Sequence, residues 1–181
     1  MKQKVLRAFG YIIVQNDWEE GEVFSDDYCS NNTFYISREI DPYLTVDSYC
    51  EQDFNHIWLI TSGRIDVVEE STGNVCVRTA GFCTLDVENQ KGVLNASVVE
   101  PTRLYCLSAN RNLKRTPIIP TVKSFKLPAG HEHICDGETK LFLADGKLSM
   151  EGIVIEGPCQ IQVSSNKLVT SIADCYGLVF M

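Results

Sequence analysis

The amino-acid sequence predicts an all-β protein: two similar modules of short strands, with extra strands at the N-terminus and little helix. Three observations lead there. Runs of β-branched and aromatic residues, many alternating with polar ones, recur along the chain, and such residues suit a pleated, half-buried surface. Between Pro42 and Leu107 the apolar residues never hold the three-and-four spacing of an amphipathic helix beyond about one turn. Strand-turn-strand segments of the first half also return, in the same order, in the second. With 181 residues, 44% of them hydrophobic, the chain can bury one core or two small ones.

Taken in order, Phe9 to Val14 and Thr33-Phe34-Tyr35-Ile36 read as strands, separated by the Asp, Ser and Asn loop chemistry of Ser25 to Asn32. Tyr43 to Tyr49 alternates. Ile57 to Val68 reads as two strand stretches around Ser62-Gly63, with Ile65 and Val67 on one face and Arg64 and Asp66 on the other. Ser71-Thr72-Gly73-Asn74 signals a hairpin into Val75-Cys76-Val77. After Ala80-Gly81 the run Phe82 to Val87 alternates again, and Leu94 to Val99 and Arg103 to Leu107 flank an expected turn at Glu100-Pro101. The best helix candidate is short, from Asn110 to Lys114, and Pro117 and Pro120 end it.

Residues 109–121, polar and carrying both of those prolines, form the expected linker. Beyond it, Val122 to Leu127, Leu141 to Leu143, Leu148 to Ile155, Cys159 to Val163, Leu168 to Ile172 and Leu178 to Phe180 make a second series of strands. The expected domains are therefore N-terminal strands over 1–40, a first module over 41–108, the linker, and a second module over 122–181.

The two modules share sequence pattern. Gly81 to Val87 matches Gly157 to Val163 as Gly-x-Cys-x-aliphatic-x-Val. Leu59 to Ile65 parallels Phe142 to Leu148, placing Gly63 against Gly146. Ser97 to Glu100 parallels Ser171 to Asp174, and Leu104 to Leu107 parallels Leu178 to Met181. Segments recurring in one order point to a duplicated unit.

Composition excludes several functions. Sixteen basic against 24 acidic residues give a net charge of -8, which repels nucleic acid and anionic membranes. Arg111, Lys114, Arg115, Lys123 and Lys126 cluster locally and read as a solvated linker, or else as a contact for an anion or an acidic partner. The longest apolar runs have strand length, far short of the roughly 20 residues of a membrane helix, and the N-terminal residues lack the pattern of a secretory signal. The eight cysteines stand singly, several inside strands, as reduced structural thiols do. These features lead to the expectation of a cytoplasmic protein. No phosphate loop or nucleophile elbow is present. A Cys135/His133 dyad would require that segment to be extended.

Recognised metal-ligand residues stand close together at His131-Glu132-His133, followed after four residues by Glu138. Residues i and i+2 of a strand point to one side, so both imidazoles can face one interior, where a carboxylate from the next strand would complete a mixed N and O set. With Gly146 beyond, these residues resemble the first metal-binding motif of the cupin superfamily. The resemblance implies two cupin-like modules, each a double-stranded β-helix or jelly roll. It also implies a metal site of His131, His133 and Glu138 for Fe(II), Mn(II), Ni(II) or Zn(II).

The sequence departs from that pattern. Phe125 stands where the family has glycine, seven residues separate Glu138 from Gly146, and no His follows His133. Ser164, Ser165, Asn166 and Lys167 occupy the region of the family's fourth ligand. In the first half, Ser48, Cys50 and Asn55 hold the corresponding positions, and the nearby His56 reads as a core or rim residue. His56 to Asp86 also resembles the start of a cyclic-nucleotide-binding β-roll, without its Gly-Glu pair and its phosphate-binding Arg. The expectation is a non-catalytic β-barrel for binding or interaction, including a structural component of a larger assembly such as a virus particle. It would have no resident cofactor, and would act as a homo-oligomer or with a protein or small-molecule partner, but not with nucleic acid or membrane. The alternative is a mononuclear cupin-type metalloenzyme.

Overall fold

The computed structural model describes residues 1–9, 11–25, 54–69, 72–84, 94–110 and 122–181. The chain divides into two compact units, Met1–Ile119 and Pro120–Met181. Among the described residues every regular element is a strand, as the alternating pattern predicts, and no helix is long and apolar enough to cross a membrane. The expected strands at Thr33 to Ile36 and Tyr43 to Tyr49, and all of the expected helix but Asn110, lie outside the described residues.

The second unit contains β7 (Val122–Leu127), β8 (Glu132–Cys135), β9 (Thr139–Asp145), β10 (Lys147–Met150), β11 (Ile153–Glu156), β12 (Cys159–Val163), β13 (Lys167–Ser171) and β14 (Cys175–Phe180). They form two four-stranded antiparallel sheets, ordered β11-β10-β13-β8 and β12-β9-β14-β7. Neighbours in each sheet mostly come from distant sequence, in the order of an eight-stranded jelly roll. Alternation sets what is buried: in β12, Ile161 and Val163 are buried while Gln160 and Gln162 face out. These residues join Cys135, Leu141, Leu143, Leu148, Val169 and Cys175 in one core.

The first unit contains β1 (Lys2–Ala8), β2 (Tyr11–Trp18), β3 (Val23–Ser25), β4 (Phe54–Glu69), β5 (Val75–Thr79) and β6 (Leu94–Asn110). The path is β1-β2-β6-β4-β5, with β3 also paired to β6. The two expected stretches around Ser62-Gly63 are one strand, and the expected turn at Glu100-Pro101 lies within β6. There is a physical reason. Gly63 adopts a φ of 83°, and a Cβ there would overlap the Pro101 carbonyl oxygen. Register shifts between Ile60 and Ile65 let the strand bend past Pro101, which has no N–H to pair, without breaking. The core beside this bend is aromatic: Trp18 stacks on Phe24 at 4.4 Å between centroids, and Phe24 meets Trp58 at 5.4 Å.

The two units pair their strands in the same order. Before Gly63, β4 pairs with the later half of β6, and after it with β5 and the earlier half of β6. Before Gly146, β9 pairs with β14, and after it β10 pairs with β11 and β13. Gly146 also has positive φ, 105°, with the Asp174 carbonyl where a Cβ would go. By pairing with β6, β2 and β3 take the places that β7 and β8 hold in the second unit, while β1 lies outside that set.

The register differs from the sequence alignment by one residue. Ile60 faces Leu104, whereas the aligned Leu143 faces Gly177, and Leu178 faces Phe142. Leu148 likewise faces Ser171, not the residue aligned with Val98. A slip of one exchanges the two faces of a strand, so Ser171 is buried and Ile172 is 48% exposed.

Candidate ligand site in the C-terminal unit

That slip fixes the start of β8. Pro128 to Gly130 turn the chain, with Gly130 at a φ of 81°. Ser171, facing inward, then holds the turn. Its Oγ accepts from His131 N at 2.9 Å and contacts the carbonyls of Pro128 and, at 3.2 Å, His131. In the backbone, Ser171 N donates to His131 O at 2.9 Å. His131 thus belongs to the turn, and regular pairing begins at Glu132 opposite Thr170, followed by His133 opposite Val169.

His133 and Cys135, two residues apart, share the inner side of β8. Both border a cavity of about 310 Å³ within the second unit. Leu141, Leu148 and Val169, all buried, form part of its wall, with Phe125, Leu127 and Val179 beside them. The polar lining is small: His133, Glu138 and Thr139. Glu138, in the loop between β8 and β9, accepts a hydrogen bond at Oε1 from Gln162 Nε2 of β12. Thr139 Oγ1 donates to the Gly137 carbonyl at 3.1 Å.

The structure therefore brings His133 and Glu138 to one cavity, and His131 is not among its lining residues. Among the described residues no three His, Cys, Asp or Glu side chains are grouped to hold a metal ion. As arranged, the three donors do not fit a three-ligand centre, since His131 precedes the strand whose alternation would aim it inward. Asn166 sits in a turn at a φ of 61° with its N–H on the Cys135 carbonyl at 2.6 Å. Lys167 pairs with Glu151. Neither lines the cavity. In the first unit, Ser48 and Cys50 lie outside the described residues, while Asn55 and His56 lie on β4 opposite Ala109 and Ser108.

The six described cysteines are free thiols. Burial pushes the Cys159 thiol above its usual range. Burial does the same to Cys175, opposed by its hydrogen bond with the Lys147 backbone and reinforced by the charges of Asp174 and Asp145. Both behave as small apolar groups, far from the thiolate a nucleophile needs.

Sequence reasoning missed Gln162, Ser171 and the apolar walls. A signal existed at Phe125, a bulky apolar residue that borders the cavity. The alternation of Gln160 and Gln162 around Ile161 likewise placed Gln162 on the outer face, within reach of the loop that carries Glu138.

No family model matches this sequence, and comparison with curated proteins finds no match. Among solved structures the chain is similar to YhaK from Escherichia coli, at 11% identity over 99% of this chain and 92% of that one, with a TM-score of 0.47. It is similar to YhhW from Escherichia coli, at 11% identity over 93% and 79% of the two chains, TM-score 0.45; that protein has also been solved in complex with nickel(II). A cupin 2 conserved barrel domain protein from Leptotrichia buccalis is similar at 10% identity over 99% and 88%, TM-score 0.43. The pairing order of β7 to β14 is itself that of an eight-stranded jelly roll, the architecture to which cupins belong, and on that order the fold of this chain is cupin-like.

Proposed function

We propose that this protein is a non-catalytic binding protein whose C-terminal jelly roll holds a small molecule. One observation carries the reading: a cavity of about 310 Å³, walled by apolar side chains and edged by three polar ones. That is the low end of the range for small-molecule pockets, roughly 300 to 1,000 Å³, and the right balance of lining. Binding should be measured by titrating apolar probes against the full chain and against Val179→Phe, which fills the cavity. Equal binding by both would overturn the reading.

A second reading, a mononuclear metalloenzyme with Fe, Mn, Ni or Zn, is favoured by the meeting of His133 and Glu138 at one cavity. It predicts a stoichiometric metal in protein purified without a histidine tag, lost in His133→Ala with the fold retained. Protein that fails to bind added Fe(II), Mn(II) or Zn(II) would sink it.

We further infer a duplicated origin for the two units, a cytoplasmic setting and a homo-oligomer. The shared strand pairing supports the first, and the free thiols support the second. The third is supported by the edge strand β11, where Ile153 and Val154 are 63% and 59% exposed, since uncovered apolar edges invite association. Val154→Lys should shift the sedimentation coefficient toward that of the monomer. A monomeric parent protein would remove the inference. Incorporation into a larger assembly, such as a virus particle, would follow the same exposed surfaces.

A further inference from the structure

We propose that the cavity of the C-terminal unit takes an apolar molecule with a single ammonium group, its hydrocarbon part among the walls and its cationic head at Glu138. The assignment rests on the reading of this unit as a binding barrel and adds the class of ligand. Most of the lining is apolar: Leu141, Leu148, Val169, Val179 and Phe125 among others. Covering it favours hydrocarbon over a polar or highly hydrated molecule.

The polar end is chosen by charge. No Lys or Arg side chain lines the cavity, and among the lining side chains Glu138 alone carries a carboxylate. Gln162 engages Glu138 through Oε1, which orients the carboxylate before any ligand arrives and leaves Oε2 for a second donor. Thr139 spends its hydroxyl proton on the Gly137 carbonyl, so it presents lone pairs. His133 offers a further acceptor when neutral. These groups together accept hydrogen bonds and carry negative charge, the complement of an ammonium.

Lysines of the same unit do not cancel that charge. Lys140 lies opposite Gln162 on the neighbouring strand, yet among the described residues it makes no ion pair with Glu138. Lys167 is committed to Glu151. A carboxylate head would meet Glu138 with no cation on the lining to receive it. The net charge of -8 adds a long-range preference of the same sign.

The test is a matched series of hexylammonium, hexanol and hexanoate, titrated calorimetrically into the full chain at low salt. Hexylammonium is expected to bind about five-fold more tightly than hexanol, the size of a favourable exposed ion pair, with hexanoate weakest. Glu138→Gln, which keeps an acceptor for Gln162 and removes the charge, should bring the amine and the alcohol to equal affinity. Val179→Phe should weaken all three. Equal binding of the three probes by the parent protein, or preference for hexanoate, would overturn the ammonium assignment while leaving the binding barrel standing. Failure of all three to bind would overturn both. A preference for hexylammonium that survives in Glu138→Gln would place the head elsewhere and overturn the assignment.

Discussion

Asp17 and Arg103, 86 residues apart in sequence, meet across β2 and β6, with Arg103 Nε 2.6 Å from Asp17 Oδ1. Partial burial by itself would raise the Asp17 carboxyl, but the hydrogen bonds and charge of Arg103, with a bond from Gln15, bring it below its ordinary 3.8. A depressed folded-state value means the pair stabilises above the ordinary carboxylate range and fades as pH falls through the lower value. Both side chains are more than a third exposed, so screening keeps the contribution small. Asp17→Asn should lower unfolding free energy by about 0.5 kcal/mol at pH 7, and urea melts repeated near pH 2 should show the difference gone. Ser171 is the opposite case, a buried hydroxyl with several backbone partners. Ser171→Ala should cost about 1 kcal/mol in the same melts, by removing the hydroxyl's bonds at the turn while His131 N keeps its 3.1 Å bond to the Pro128 carbonyl. The sequence hid this role, because Ser171 aligns with Ser97, which is exposed in the first unit.

Strands such as β7 and β12 could be read from period-two alternation, because a half-buried strand writes its burial into every second residue. By contrast, β1 and β3 were not expected, β8 was expected only at its histidines, and Leu148 to Ile155, expected as one stretch, is β10 and β11. What could not be read was which strand faces which, and at what register. Pairing between Gly146 and the segment carrying Asp174 depends on a close backbone approach that leaves no apolar signature. The glycines themselves were the accessible clue. At Gly146 an alanine would meet both the left-handed backbone, worth about 1 to 2 kcal/mol, and the Asp174 carbonyl with Cys175 beside it, worth about another 1 to 3. Gly146→Ala should therefore lose about 3 kcal/mol. Gly152→Ala, at a φ of 81° with nothing within 4 Å, should lose only about 1 kcal/mol. Similar losses for the two variants in thermal melts would show that the close approach costs nothing. The same contrast separates the two histidines of the motif: His-x-His was read as two strand residues, and the first is a turn residue tied down by Ser171.

At the scale of the whole chain, the architecture was more legible than the site, because fold depends on many weakly informative positions and a site on a few strongly placed ones. Each unit has its own core, aromatic in the first and aliphatic with cysteines in the second, and each is braced by one glycine at the equivalent bend. Separate cores of this kind open as separate cooperative units when one is weakened. Hydrogen exchange on Gly146→Ala should therefore lose protection through β9 to β14 while β4 to β6 keep theirs, and Gly63→Ala should give the reverse. The amides to watch are those of Leu143 and Leu178 in the second unit and of Ile60 and Tyr105 in the first, all buried. If protection falls equally in both units for either variant, the chain unfolds as one body, and the division into two energetic units is wrong.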